Sequence, residues 1–269
     1  MTAIHAAIVK KHGEELISDF RGGRKEVPVF PFNIPVMDSA TMVGGVPQGR
    51  VVEIFGPQHV GKTSLAMHLA TSVQRMGLPV IWLDYECAFD VNYAQVFGLS
   101  FDENLMTFSQ PESLEEGFDL VEVALSNGFP GLIVLDSIPA AKPAAILESK
   151  IEADKRPGFE ALRLTRCIER VLRPLRESNA VFVGLNQRRA VIGARQGKFV
   201  PADEKFDTPG GLAWKHYCSM RFQLTLAHGE GWETREKRSE IRVRIIKNKV
   251  GMPYQEALLH LVPGVGFIA

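Results

Sequence analysis

Gly56-Pro57-Gln58-His59-Val60-Gly61-Lys62-Thr63-Ser64 fits the pattern G-x-x-x-x-G-K-[ST] of a phosphate-binding loop. Its flanks fit as well. Val51-Val52-Glu53-Ile54-Phe55 reads as a buried strand before it, and Leu65-Ala66-Met67-His68-Leu69-Ala70 opens a helical pattern after it. Glycines let the backbone curl round an anion with no Cβ in the way. The helix that follows aims free N–H groups at the same point. In such a loop Lys62 reaches the β- and γ-phosphates of a nucleoside triphosphate, and Thr63 holds Mg²⁺.

Outward from the loop, short apolar runs alternate with helical ones. Val80–Leu83, Leu132–Leu135 and Val181–Leu185 read as strands. Helices are expected near 63–76, 90–97, 112–127 and 158–177. That alternation predicts a mostly parallel α/β sheet flanked by helices. Beyond about residue 217 the helices stop. Met220–Thr225, Ile241–Ile246 and Ala257–Val262 read as antiparallel strands finishing one edge.

Residues 1–35 read as a separate N-terminal arm and 36–269 as the core. The arm begins with a short helix ending at Gly22-Gly23. It continues into Val27-Pro28-Val29-Phe30-Pro31-Phe32, whose prolines exclude a central strand. An apolar linker needs cover, and another subunit is the expected source for Val29, Phe30 and Phe32.

The 269 residues carry 31 basic and 31 acidic side chains, so no global positive field announces a nucleic-acid partner. Cys87, Cys167 and Cys218 form neither a C-x-x-C pair nor a zinc spacing, which suits a reducing compartment. No leader pattern and no membrane-length apolar run is present, so a cytoplasmic location without membrane contact is expected.

Leu132-Ile133-Val134-Leu135-Asp136-Ser137 supplies the second element of a nucleotide site. An apolar strand ending in an acid places Asp136 at the carboxyl edge of the sheet, where it supports Mg²⁺. Asp84-Tyr85-Glu86 ends another strand and offers a carboxylate to polarise an attacking water.

Together, Val51–Pro57, Gly61-Lys62-Thr63, Asp84-Tyr85-Glu86-Cys87-Ala88-Phe89-Asp90, Val134-Leu135-Asp136-Ser137, Asn186-Gln187, Pro209-Gly210-Gly211-Leu212-Ala213-Trp214-Lys215 and Lys247-Asn248-Lys249 resemble, in order, the bacterial and phage RecA recombinases. The resemblance covers about 36–269. It implies a RecA-like P-loop ATPase core with ATP and Mg²⁺ as cofactors. It makes Glu86 the catalytic carboxylate and puts Asp90 and Tyr93 against the adenine. Gln187 becomes the γ-phosphate sensor, and Lys247 with Lys249 the pair that reaches a neighbouring subunit's ATP. Three departures stand out. His59 replaces a small loop residue. His216 stands where the family often has an interface aromatic. The chain stops at Ala269, where typical members continue into a small domain that gathers duplex DNA.

Two segments are candidates for DNA contact. Between Lys155 and Arg176 lie seven basic and two acidic residues. Lys155-Arg156-Pro157-Gly158 resembles the family's first DNA loop. Arg163, Arg166, Arg170 and Arg173 follow on one helical face, suited to neutralising phosphates. The second segment, Arg188–Thr208, carries Arg188, Arg189, Arg195, Lys198 and Lys205, with Phe199 and Phe206 as candidates for stacking on bases.

The expected function is an ATP-dependent homologous-recombination protein, active in DNA repair. It forms helical filaments on single-stranded DNA and exchanges strands with homologous duplex DNA, with a single-strand-binding protein or loader as possible partners and a nucleoid-associated location. The alternatives are a RecA-like accessory ATPase without strand exchange and a hexameric helicase-type motor.

Overall fold

A computed structural model describes residues 3–12, 27–149, 158–190, 206–227, 240–262 and 265–268. The chain begins with α1 (Ala3–His12), β1 (Val29–Phe30), α2 (Pro35–Ala40) and β2 (Val46–Pro47). Then come β3 (Arg50–Gly56), α3 (Lys62–Arg75), β4 (Val80–Asp84), α4 (Val91–Val96), β5 (Met106–Ser109), α5 (Leu114–Ser126) and β6 (Leu132–Asp136). After α6 (Ala144–Leu147), α7 (Phe159–Ser178) leads into β7 (Val181–Gln187), β8 (Arg189–Ala190), β9 (Phe206–Asp207) and α8 (Gly211–Tyr217). β10 (Cys218–Leu226), β11 (Glu240–Asn248), β12 (Gln255–Val262) and β13 (Gly266–Ile268) complete it.

Among the described residues the main sheet has nine strands, ordered β13-β12-β11-β10-β3-β7-β6-β4-β5. The strands from β10 to β5 pair in parallel, while β11, β12 and β13 run antiparallel at one edge. The expected α/β class is the one found.

Side chains alternate across a strand, and the central strands use both faces. Val80 and Trp82 of β4, Leu132 and Val134 of β6, and Val181 and Val183 of β7 enter one core with α3. Ile81, Leu83, Ile133, Leu135 and Phe182 enter the other with α5 and α7. Near-continuous apolar strands are what a doubly covered parallel sheet demands. The carboxyl ends of β3, β4, β6 and β7 therefore open on one edge, where ligands of such sheets bind.

The expectation that a neighbouring subunit covers Val29, Phe30 and Phe32 is corrected. Phe30 and Phe32 are fully buried within this chain. Val29 and Phe30 pair with Pro47 and Val46, Phe32 meets Phe222 edge-on with centroids 5.6 Å apart, and its N–H donates to Asp38 Oδ1 at 2.7 Å. The prolines limit this segment to a two-residue strand without barring it from the core, so the core starts before residue 36. Removing residues 1–35 should consequently destabilise the fold, whereas removing 1–26 should leave a cooperative thermal transition. Phe32→Ala alone should cost about 3–5 kcal/mol in denaturant melts. In α1, Ile4 and Ile8 are exposed, one helical turn apart.

Candidate nucleotide and nucleic-acid sites

β3 delivers the phosphate-binding loop, and α3 leaves it with Gly61 at the N-cap in the left-handed region, φ 82°. Phe267 of β13 presses on this glycine: a Cβ at position 61 would lie 2.8 Å from Phe267 Cζ. His59 also takes a positive φ, 61°, a backbone shape that histidine tolerates better than most non-glycine residues. Lys62 Nζ donates to Pro57 O at 2.6 Å. Burial chiefly depresses its pKa, while Asp136 and Glu86 oppose that shift.

An open cleft of about 520 Å³ lies over the loop. It brings together Gln58, His59, Gly61, Lys62, Thr63, Ser64, Glu86, Tyr93, Asp136 and Gln187 from the sequence reading. Thr63 Oγ1 donates to Asp136 Oδ2 at 3.2 Å, and Ser64 Oγ and Tyr93 OH lie 2.9 Å apart. A hydroxyl beside a carboxylate is a hard oxygen donor set. It suits Mg²⁺, which keeps few protein ligands and completes its shell with water and phosphate oxygens.

Gly56, Pro57, Val60 and Asp90 are not among the residues lining the cleft. Val60 is a buried core side chain, and Gly56 packs against Leu224. Pro57 offers its carbonyl to Lys62. Asp90 caps α4, accepting the Tyr93 N–H at 3.0 Å, and does not line the cleft.

Of the two acids at the end of β4, Asp84 is buried and occupied by the Phe89 N–H and Gln110 Nε2. Glu86 is the one that reaches the cleft, where Ser137 Oγ donates to its Oε1. Ser137 and Leu261 also line the cleft, and the sequence reading assigned a role to neither. Ser137 follows Asp136 directly, so its position was available from the strand register. Leu261 arrives from β12, next to the far edge of the sheet, with no local signal.

The Asp136 carboxyl is pushed up to about 7, by burial first and then by Glu86 and Asp84, against Thr63 and Lys62. Between about pH 4 and pH 7 the folded, nucleotide-free chain therefore keeps a proton there that the unfolded chain releases. Its stability should fall as pH rises through that window, by roughly a few kcal/mol at most. Asp136→Asn should flatten the trend and stabilise the empty chain at pH 8. Urea melts at pH 5 and pH 8 read both effects.

Lys247 and Lys249 sit elsewhere. Register places Asn248 against Met220, and Met220 against Val52, so the pair lies toward the amino end of β3, away from the cleft. Both project to one side, as alternation predicts. Lys247 Nζ donates to the Lys215 carbonyl and, at 3.2 Å, to His216 O; Lys249 Nζ reaches His216 O at 2.8 Å. The two cations thus hold the carbonyl end of α8. Burial, then Lys249, lowers the Lys247 pKa.

The family model described as the RecA N-terminal domain matches residues 1–268. The chain belongs to the RecA family. It is 33% identical over 272 residues to "Protein RecA" of Chloroflexus aggregans, covering 99% of this chain and 74% of that relative. For "Protein RecA" of Ectopseudomonas oleovorans the identity is 37% over 232 residues, covering 86% and 64%. For that of Streptomyces ambofaciens it is 31% over 271 residues, covering 99% and 69%.

In this RecA-family chain three arginines of the basic stripe on α7 are ion-paired within the chain. Arg163 Nε pairs with Glu115 Oε1 at 3.0 Å, and Arg170 pairs with Asp119 at 3.1 Å and with Glu122. Arg173 pairs with Glu177 at 2.7 Å. The acids of α5 lie alongside α7, so Arg163 and Arg170 bind two helices together. Arg166 is exposed, and Gly158 caps α7 at φ 80°. Arg163→Ala with Arg170→Ala should lower stability by about 1 kcal/mol, the scale of partly exposed ion pairs, with little change in the salt slope of DNA binding. A loss of more than one unit of slope would return the stripe to DNA contact.

The second candidate DNA segment is closed at its base by a small sheet pairing Arg189 with Asp207 and Ala190 with Phe206. The Arg188 guanidinium lies 3.7 Å from the Phe206 ring centroid. Arg156, Arg195, Lys198, Phe199 and Lys205 lie outside the described residues. No described helix is long and apolar enough to cross a membrane.

Proposed function

We propose that this chain is an ATP- and DNA-dependent recombination protein that polymerises head-to-tail on single-stranded DNA and exchanges strands with homologous duplex. One observation supports the reading: the candidate groups for phosphoryl transfer lie toward opposite ends of the sheet. Lys62, Thr63, Glu86, Asp136 and Gln187 gather at the carboxyl ends, while Lys247 and Lys249 point from the other end. Repeating one heterologous contact brings one copy's lysines to the next copy's cleft and builds a helical polymer.

In that arrangement Lys62 neutralises the β- and γ-phosphates. Thr63 and Asp136 hold Mg²⁺, which would shield charge developing on the transferred group. Glu86, steadied by Ser137, orients the attacking water. Gln187 senses the γ-phosphate at the head of the 188–208 segment. Tyr93 would stack on the adenine ring. A cytoplasmic, nucleoid-associated location follows from a DNA substrate.

ATP turnover with and without single-stranded DNA, imaged in parallel by electron microscopy and followed by joint-molecule formation, tests the proposal. DNA-stimulated turnover, filaments and joint molecules support it. Stimulated filaments without joint molecules point to an accessory ATPase, and closed rings to a helicase-type motor.

A further inference from the structure

A buried carboxylate outside the nucleotide cleft is unaccounted for. Glu53, in the strand that delivers the phosphate-binding loop, is fully buried. Its Oε1 accepts from Asn186 Nδ2 at 2.7 Å and from Trp214 Nε1 at 2.9 Å. Its Oε2 pairs with Arg221. A buried charge persists only when paired and hydrogen-bonded, and these three donors meet that demand.

Each donor leads to a different working part. Asn186 precedes Gln187 of the cleft, and its Nδ2 also reaches Pro209 O at 2.8 Å. Arg221 donates onward from Nη2 to Thr208 Oγ1 at 3.1 Å. Thr208 and Pro209 follow the small sheet that closes the candidate DNA segment. Trp214 belongs to α8, whose last carbonyls hold Lys247 and Lys249.

The contact depends on a glycine. Glu53 stands opposite Gly184 of β7 in the sheet register. A Cβ at Gly184 would lie 2.6 Å from Trp214 Cζ2, so the missing side chain leaves the slot through which the indole reaches Glu53. Filling a slot on the Gln187 strand ties α8 to that strand by packing as well as by a hydrogen bond.

We infer that Glu53 is a positioning hub, with Trp214 and the Arg221–Thr208 pair as its arms, through which occupancy of the nucleotide cleft sets the DNA segment and α8. Glu53 touches no nucleotide; it fixes the elements that do. The inference rests on the DNA-dependent ATPase reading above, and it adds residues to which that reading gives no role.

The test compares the whole chain with Thr208→Val, Thr208→Ser and Trp214→Phe, measuring ATP turnover with and without oligo(dT) and a thermal melt for each. Valine keeps the Thr208 shape but cannot accept from Arg221; serine can. Thr208→Val should lose about tenfold of the stimulation by DNA, the scale of one hydrogen bond to a charged group. Its KM for ATP and DNA-free turnover should stay within about twofold of the parent, and Thr208→Ser should restore stimulation. Trp214→Phe, which lacks the indole N–H, should behave like Thr208→Val.

If Thr208→Val is stimulated like the parent, or if Thr208→Ser fails as Thr208→Val does, the hub is wrong. Should Trp214→Phe not fold, the two Thr208 variants decide alone. A parent chain that DNA does not stimulate overturns the DNA-dependent reading itself and the hub with it, a result distinct from stimulation that survives in the variants.

Discussion

Lys62→Ala is expected to reduce ATP turnover by about 10²–10³-fold, the scale on which one preorganised charge acts on a transferring group. Lys62 bonds to the loop's own Pro57 carbonyl. Burial depresses its pKa, and Asp136 and Glu86 counter that effect. The ammonium is thus held on a costly, partly desolvated site, and a phosphate is the ligand that would repay it. Alanine removes both the cost and the use, so the empty variant should melt no lower than the parent. Turnover should collapse with DNA present or absent. Lys62→Arg should rescue poorly, because a planar guanidinium does not fit a loop built for a compact point charge. Parent-level turnover in Lys62→Ala would remove Gly56–Thr63 as the nucleotide site.

The phosphate loop was legible because its information is local. Strand, glycines, lysine and helix are contiguous, and their order dictates the geometry. The strands β4, β6 and β7 were legible for the same reason, since each is a short apolar run ended by a polar residue. What the sequence hid is long-range. Phe30 and Phe32 looked unpartnered because Val46, which pairs with the one, and Phe222, which meets the other, come from later elements. The arginines of α7 read as a face for DNA phosphates because Glu115, Asp119 and Glu122 are some fifty residues away. Glu53 read as one polar residue inside a strand, and its partners Asn186, Trp214 and Arg221 converge on it only through the register. Helical and strand periodicity report which face a side chain takes, not what lies opposite it.

Lys247→Ala combined with Lys249→Ala should leave ATP binding nearly intact and lower DNA-stimulated turnover by about 10²–10³-fold. The reason is topological. The lysines project toward the amino end of β3, and the cleft opens at its carboxyl end, so they do not serve their own nucleotide. In the free chain they hold α8, and losing those contacts at a helix C-terminus should cost about 1 kcal/mol, visible as a small drop in the melting midpoint. Swapping both for arginine should restore that midpoint but not full turnover, since arginine keeps the charge and loses the compact fit. Mixing separates a shared site from a local one. The double variant has an intact Glu86, and a Glu86→Ala variant has intact lysines. Filaments of either alone contain no complete site. In an equal random mixture, about one head-to-tail interface in four pairs an intact Glu86 with intact lysines, and turnover should return toward that fraction of the parent's. Two outcomes defeat the shared site: parent-level turnover on DNA by the lysine variant alone, or no recovery in filaments shown by labelling to contain both chains. Recovery, in contrast, requires that Glu86 and the lysines act from different subunits on one γ-phosphate. Then each copy is an incomplete enzyme, and polymerisation on DNA itself completes the site.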